Sequence, residues 1–426
     1  MNKEVIGAIA FLGLGFGLIS RKLEKSVITP PMAYVTFGLL ISANGLGLIQ
    51  EVEIANEIIK ILAEITLAVV LFTDASRIQL KLLRQEYNLP LRLLGIGLPI
   101  TIILGTVFAS LLFTDLNIWE AAALATILSP TDAALGQAVV NSPRVPTYIR
   151  QAINVESGLN DGICLPILLL LISLAEKSEQ SGTASYWLTF SLEQIIFGVV
   201  IGVTIGYFGG KLIVKSVRRK WMNESFEDLS VLGLSILAYT GAEVIGGNGF
   251  IAAFCAGLTL GTITTKSVLD CLYEFGEAEG QLLTLVSFLL YGAVMVFPSL
   301  SDATWQVWLY AIGSLTVARM LGVAIATLGS KLQLDSILFV GWFGPRGIAS
   351  IVYGLLIVDR DKLLGSDLMF TTMVVTVFIS VFAHGLTAFP GANWYAHRIS
   401  NKENSHSMPE MIPVKEMPVR LPWRES

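Results

Sequence analysis

Thirteen apolar runs follow one another along this chain, and they constrain its fold more than any motif does. They cover 4–20, 28–49, 54–76, 89–113, 118–141, 150–175, 187–210, 228–246, 248–264, 280–298, 306–328, 335–358 and 367–390. Each is near the roughly 20 residues that a helix needs to cross the hydrocarbon core of a bilayer. In lipid the backbone must satisfy its own polar groups, so runs of this length are expected to be helices. The charge content agrees. Only 14% of the 426 residues are charged, against 54% hydrophobic, and mean hydropathy is +0.69. Soluble proteins carry about 25% charge. The sequence therefore reads as an all-α polytopic membrane protein, with lipid as the solvent for much of its surface.

Orientation follows from the basic residues. With the N-terminus outside, twenty-one of the 28 Lys and Arg fall in inside loops or the C-terminal tail and five fall outside. Arg319 and Arg346 lie within spans. An excess of positive charge on the cytoplasmic side is the usual orientation signal. It places the N-terminus outside and the C-terminus in the cytoplasm, in a cell membrane. The run Ile6–Ser20 is followed by Arg21, Lys22 and Lys25 and has no A-x-A cleavage site, so it reads as a retained first span. Residues 1–395 form the transmembrane unit. Residues 396–426 read as a short polar cytoplasmic tail, and the proline-containing stretch after Pro390 as mostly disordered.

Two runs are interrupted. The fifth contains Ser129-Pro130-Thr131-Asp132 and the twelfth Gly344-Pro345-Arg346-Gly347. They are seven spans apart, the separation expected of two six-span halves joined by a seventh and therefore inverted. Pro and Gly are common in transmembrane helices, so either break alone says little. A matched pair, each with a charge at the break, points to a transporter's binding site.

Charge within a span is costly, at about 2.5–3.5 kcal/mol per residue near a helix centre. Asp132, Glu156, Asp161, Arg319 and Arg346 incur that cost. Three carboxylates against two guanidiniums leave one negative charge over, which a cation or a proton would neutralise. Along a helix advancing about 100° per residue, Asn154, Glu156, Ser157, Asn160 and Asp161 share one sector of about 160°. That sector faces either a cavity or a polar helix interface. Oxygens from Ser157 and Asp161, with carbonyls near Thr131, suit a small alkali cation. Arg319 is the expected partner of Glu156. Asp132 can cap a half-helix start and Arg346 can donate to freed carbonyls, so both are read first as scaffolding and second as ligands. Asp74, at the inner end of the third run, fits either the entrance to the site or a carboxylate at the water interface beside Arg77. Glu64 and Glu243 also fall in spans, and Glu274, Glu277 and Glu279 form an acidic inside loop that is either solvated or regulatory.

With these residues in hand, the chain resembles the monovalent cation:proton antiporters that include the NhaP-type prokaryotic and NHE-type animal exchangers. The resemblance rests on Thr131-Asp132 in the broken fifth span and on Glu156-Ser157 with Asn160-Asp161 in the sixth. Arg319 in the eleventh and Gly344-Pro345-Arg346-Gly347 in the twelfth complete it. It implies thirteen spans, a homodimer with dimerisation and mobile core subdomains, and alternating access. It assigns the cation and the proton to Asp161, with Asn160, Ser157 and Thr131 around it, and pairs Glu156 with Arg319. Asn160 stands where electrogenic relatives carry a second aspartate, which implies electroneutral one-for-one exchange. Na+ is the expected cargo, with Li+ or K+ as alternatives. Proline precedes Thr131-Asp132 here, whereas the commoner pattern has it after the aspartate, and Ala133 stands in that place. Potassium-handling members of the family share that variant.

Other classes fit less well. No loop resembles a repeated selectivity filter, as a channel needs. No nucleophile–base pair, HExxH or phosphate loop stands in the spans, so no enzyme is indicated. No basic patch interleaved with aromatics suggests nucleic acid. Cys164, Cys255 and Cys271 form no CxxC pair, and three histidines suggest no transition-metal cluster. No cofactor is expected. Glycines such as Gly202, Gly206, Gly209 and Gly210 read as seams that permit motion.

Overall fold

The computed structural model describes residues 3–23, 26–49, 57–78, 88–132, 135–178, 184–263, 280–358, 363–401 and 408–412. The acidic stretch Glu274–Glu279, Lys266, Cys271, Ala133 and most of the polar tail lie outside them.

Every apolar run contains helix within its described part. The helices are α1 (Lys3–Leu23), α2 (Pro30–Ile41), α3 (Glu57–Ser76) and α4 (Asn88–Leu112). The fifth run gives two pieces, α5 (Ile118–Ile127) and α6 (Gln137–Val140). Then come α7 (Thr147–Ser178), α8 (Ala184–Arg218), α9 (Glu224–Val244) and α10 (Gly249–Ile263). These are followed by α11 (Gly280–Asp302) and α12 (Trp305–Ala326). The twelfth run is again split, into α13 (Leu334–Trp342) and α14 (Ile348–Val358), and α15 (Ser366–Ser400) closes the order. Among the described residues, six helices are by themselves long and apolar enough to cross a membrane. Along α8 the side chains of Ile196, Val200, Val203 and Leu212 face outward, as expected where lipid is the solvent.

Local chemistry sets the helix ends. Asn117 caps α5 by accepting from the backbone N–H groups of Trp119 at 2.9 Å and Glu120 at 3.0 Å. The Glu120 carboxylate returns the favour to the Asn117 N–H at 3.0 Å, completing a capping box. Its other oxygen accepts from the Gly365 N–H at 3.1 Å, which ties the start of α5 to the start of α15. The short turn between α9 and α10 uses Gly246 at φ +78°, a left-handed conformation that glycine adopts without strain.

Two of the glycines read from sequence as seams, Gly202 and Gly206, lie at a close helix contact. A Cβ at Gly202 or Gly206 of α8 would strike the Ala252 and Ala256 carbonyls of α10. On α10's other side, Gly257 and Gly261 lie equally close to the Phe72 and Ser76 carbonyls of α3. Four-residue spacing puts each pair on one helix face, so three backbones approach closely through small-residue stripes. Lipid tails are as apolar as leucine, so close van der Waals packing supplies the attraction that water would otherwise provide.

As α11 does at Tyr291–Met295, helices α4 and α12, seven apolar runs apart, both contain a π-helical turn, at Leu93–Gly97 and Ser314–Ala318. The two helices meet beside these turns, where a Cβ on Gly322 would lie 2.9 Å from the Gly97 carbonyl. The second turn leads directly into Arg319, and such bulges frequently mark functional positions.

The C-terminal reading is corrected. Helix α15 runs through Pro390 to Ser400. Proline signals a helix end, but Ala392, Tyr395 and Ile399 continue a buried stripe beyond it, packed with Phe339 and Phe343. Further on, Glu410 is fully buried in a one-turn helix, Pro409–Met411. Its carboxylate accepts from the Gln333 N–H and the Ser336 hydroxyl, both at 2.7 Å, and so caps α13.

The glycine stripes generate a prediction. Gly261→Val should lower the thermal midpoint of the detergent-purified protein through overpacking of about 1–3 kcal/mol. Gly233→Ala, whose added Cβ would meet open space, should leave the midpoint within error of wild type.

Candidate ion-binding site

The two interrupted helices cross, and each completes the other. Pro130 has no N–H to continue α5, which ends at Ile127. The freed Ser129 and Pro130 carbonyls accept from Arg346 Nη1, at 2.8 and 3.2 Å, across the other break. In exchange, Asp132 Oδ2 accepts from the Ile348 N–H at 3.1 Å, at the start of α14. The Asp132 N–H donates to the Pro345 carbonyl at 2.8 Å. A third link, from the Ser350 hydroxyl to the Ile127 carbonyl at 2.8 Å, satisfies the end of α5. A carboxylate at a helix start and a guanidinium at a helix end each meet the favourable pole of the backbone dipole. Gly347 has no room for a side chain, since a Cβ there would overlap the Asp132 carboxylate.

The end of α13 is held by a residue that composition did not single out. His384 Nε2 lies 2.9 Å from the Trp342 carbonyl. Nδ1 lies 3.0 Å from the Ser380 carbonyl and 3.1 Å from the Ser380 hydroxyl, and that hydroxyl oxygen accepts from the Arg346 N–H at 2.6 Å. The signal available in sequence was the Ser380–His384 spacing of one helical turn inside an apolar run.

Helix α7 passes beside this crossing. Glu156 and Arg319 form a two-pronged ion pair, with Nη2 donating to Oε2 at 2.8 Å and Nη1 to Oε1. Both side chains are 2% exposed. The fork-on-fork geometry satisfies both carboxylate oxygens and neutralises the charge locally. A Cβ on Gly344 would crowd the guanidinium, so the glycine opens the space through which Arg319 reaches α7.

One turn along α7, the side chains meet the break in the fifth run. The Ser157 hydroxyl donates to the Thr131 carbonyl. Asn160 Nδ2 donates to Thr131 Oγ1 at 2.7 Å. Asp161 is 8% exposed, and its own backbone carbonyl accepts from the Tyr353 hydroxyl at 2.6 Å. Tyr353, on α14, is a second residue that no sequence pattern singled out. A narrow cavity is lined by Thr131, Asp132, Ser157, Asp161, Asp74 and Thr284, with apolar side chains completing its wall. Asp74 thus borders the same space as Asp161. Glu64 and Glu243 lie apart from the cavity; Glu64 accepts from the Tyr239 hydroxyl at 3.1 Å, and Glu243 accepts from the Gly249 N–H at 2.8 Å. The apolar neighbours Ile153 and Leu159 are buried as well, so α7 is enclosed on both its polar and apolar sides here.

Comparison with known proteins adds to this geometry. The family described as "Sodium/hydrogen exchanger, transmembrane" matches residues 7–394. The K(+)/H(+) antiporter NhaP of Alkalimonas amylolytica is 25% identical over 398 residues, covering 92% of this chain and 66% of that protein. The K(+)/H(+) antiporter NhaP2 of Shewanella sp. (strain MR-4) is 25% identical over 386 residues, covering 89% of this chain and 65% of that protein. The chain thus spans just under two thirds of the length of these curated relatives. The solved structure of the sodium proton antiporter MjNhaP1 from Methanocaldococcus jannaschii superposes with a TM-score of 0.74 at 23% identity, covering 94% of this chain and all of that one. The structural likeness carries the fold, and the family match, which takes in every residue of the crossing and its cavity, carries the membership: this multi-pass membrane protein belongs to the sodium/hydrogen exchanger family.

Proposed function

We propose that the protein exchanges a monovalent cation for a proton by competition at Asp161. The observation that carries this reading is the placement of Asp161. It borders a buried cavity beside the broken fifth helix, together with Ser157 and Thr131. Oxygen atoms at such a site suit an alkali cation, and the carboxylate can take either the cation or a proton. An ionised, unfilled site would carry net charge through a low-dielectric region, whereas a cation or a proton neutralises it. The neutral forms alone then cross, which couples the two fluxes without another energy source.

The other buried charges act as fixtures. Glu156 and Arg319 cancel each other, and Asp132 and Arg346 compensate the helix ends. Asn160 holds the Thr131 side chain and brings no second titrating carboxylate to that turn, which supports electroneutral one-for-one exchange. Asp74 stands at the approach to the cavity. The 21-to-5 split of basic residues supports an outside N-terminus and a cytoplasmic C-terminus. We read the protein as a homodimer of the cell membrane serving sodium transport and pH homeostasis, with Na+ or Li+ as cargo. K+/H+ exchange is the second reading, supported by the names of the two NhaP-type relatives.

Everted vesicles with an acidified lumen test the proposal. Adding Na+, Li+ or K+ should dissipate the pH gradient in wild type, and Asp161→Asn should abolish the response to all three. Exchange retained by that variant would remove Asp161 from the mechanism, and a current set by voltage alone would indicate a channel.

The ion pair makes a separate prediction about stability. Glu156→Gln should cost about 3–5 kcal/mol, because it leaves a buried guanidinium without its countercharge. Combining Glu156→Leu with Arg319→Met should recover much of the thermal midpoint lost by Glu156→Gln.

A further inference from the structure

We propose that Thr284 is a specificity-determining residue, whose hydroxyl holds a water molecule on the incoming cation. This rests on the cation/proton exchange reading above and extends it to an element that the sequence did not implicate.

Three hydroxyl-bearing side chains line the cavity beside Asp161: Thr131, Ser157 and Thr284. Two of them are engaged within the site. Thr131 Oγ1 accepts from Asn160, and Ser157 donates to the Thr131 carbonyl. Thr284 is different. It is 3% exposed, and among the described residues its hydroxyl has no hydrogen-bond partner. Threonines inside helices of this protein normally donate to the carbonyl four residues back, as Thr66, Thr126, Thr259 and Thr372 do at 2.6 to 2.8 Å. The equivalent acceptor for Thr284 would be the Gly280 carbonyl at the start of α11, and that bond is not made. A buried hydroxyl without a partner costs free energy, so its presence calls for a ligand.

The wall it comes from matters. Thr131 and Ser157 belong to the fifth run and α7, whereas Thr284 stands on α11. One turn further, Ser287 donates to Thr66 of α3 at 3.4 Å, so this face of α11 turns hydroxyls toward α3. A cation held by Asp161, Ser157 and the Thr131 carbonyl would keep part of its hydration shell toward α11. Thr284 can donate to or accept from a water there. Such a bridged contact is enthalpically close to a direct one. Na+ and Li+ hold their first-shell water more tightly than K+ does, so a contact made through water favours the smaller ions.

The test compares Thr284→Val, which keeps the shape and removes the hydroxyl, with Thr284→Ser, which keeps the hydroxyl. Exchange is followed in everted vesicles against concentration of Na+, Li+ and K+. Losing one neutral hydrogen bond should raise the half-saturating concentration of Na+ and Li+ about three- to tenfold in Thr284→Val. The change for K+ should be smaller and the maximal rate close to wild type, while Thr284→Ser stays within about twofold. Stabilisation of the purified protein by each cation, read as the shift of its thermal midpoint, should show the same loss of preference without relying on transport. Wild-type affinities in Thr284→Val, or equal impairment of both variants, would overturn the proposal while leaving exchange at Asp161 intact. A wild-type protein that exchanges none of the three cations would overturn both.

Discussion

A charge or an unpaired backbone group buried in a membrane has no water to fall back on, and the centre of this protein is organised by that constraint. Breaking a helix frees carbonyls at one end and N–H groups at the other. Here two broken helices cross, and each supplies what the other has lost. Arg346 donates to the Ser129 and Pro130 carbonyls, and Asp132 accepts from the Ile348 N–H. The exchange lets irregular backbone persist at the middle of an all-helical bundle, since such backbone is tolerated only where protein or a cavity surrounds it. It also frees the break for chemistry. With its ends satisfied, the Thr131 carbonyl and side chain can face α7.

The ion pair between Glu156 and Arg319 follows the same logic one turn away. Two charges are hidden in a place where either alone would be prohibitive, and their two-pronged geometry satisfies both carboxylate oxygens. Gly344 and Gly347 make these contacts possible by absence, because a methyl group at either would displace the guanidinium or the carboxylate. The glycine stripes on α8 and α10 act at larger scale, letting α3, α10 and α8 approach backbone to backbone. Fixed charges and close packing together frame the cavity that Asp161 borders with Asp74 and Asp132.

Much of this was legible in the sequence because the bilayer simplifies the rules. An apolar run must be a helix, so the thirteen helical regions could be placed from hydropathy. Intramembrane charges are rare enough to be read one by one, and charge balance, with Arg346 assigned to the break and the family resemblance beside it, pointed from Glu156 to Arg319. The breaks were marked by proline and glycine. What pattern could not give was direction in space. Nothing in the sequence told that Arg346 answers the carbonyls of the other break, or that His384 and Tyr353 hold backbone groups around the site. Side-chain reach across helices is set by tertiary packing, and Thr284 was hidden for the same reason. The stretch after Pro390 misled because proline was weighed more heavily than the apolar stripe Ala392, Tyr395 and Ile399, whose burial carries α15 onward.

The central claim is that one carboxylate takes either a cation or a proton and never both. Calorimetric titration of the purified protein with the transported cation, repeated in buffers of different ionisation enthalpy, counts the protons released on binding. Competition predicts release approaching one proton per cation bound at low pH, where the carboxylate is protonated before the cation arrives, and falling away as the pH rises and the carboxylate is already ionised. Cation binding that releases no protons at any pH would contradict competition at a single site.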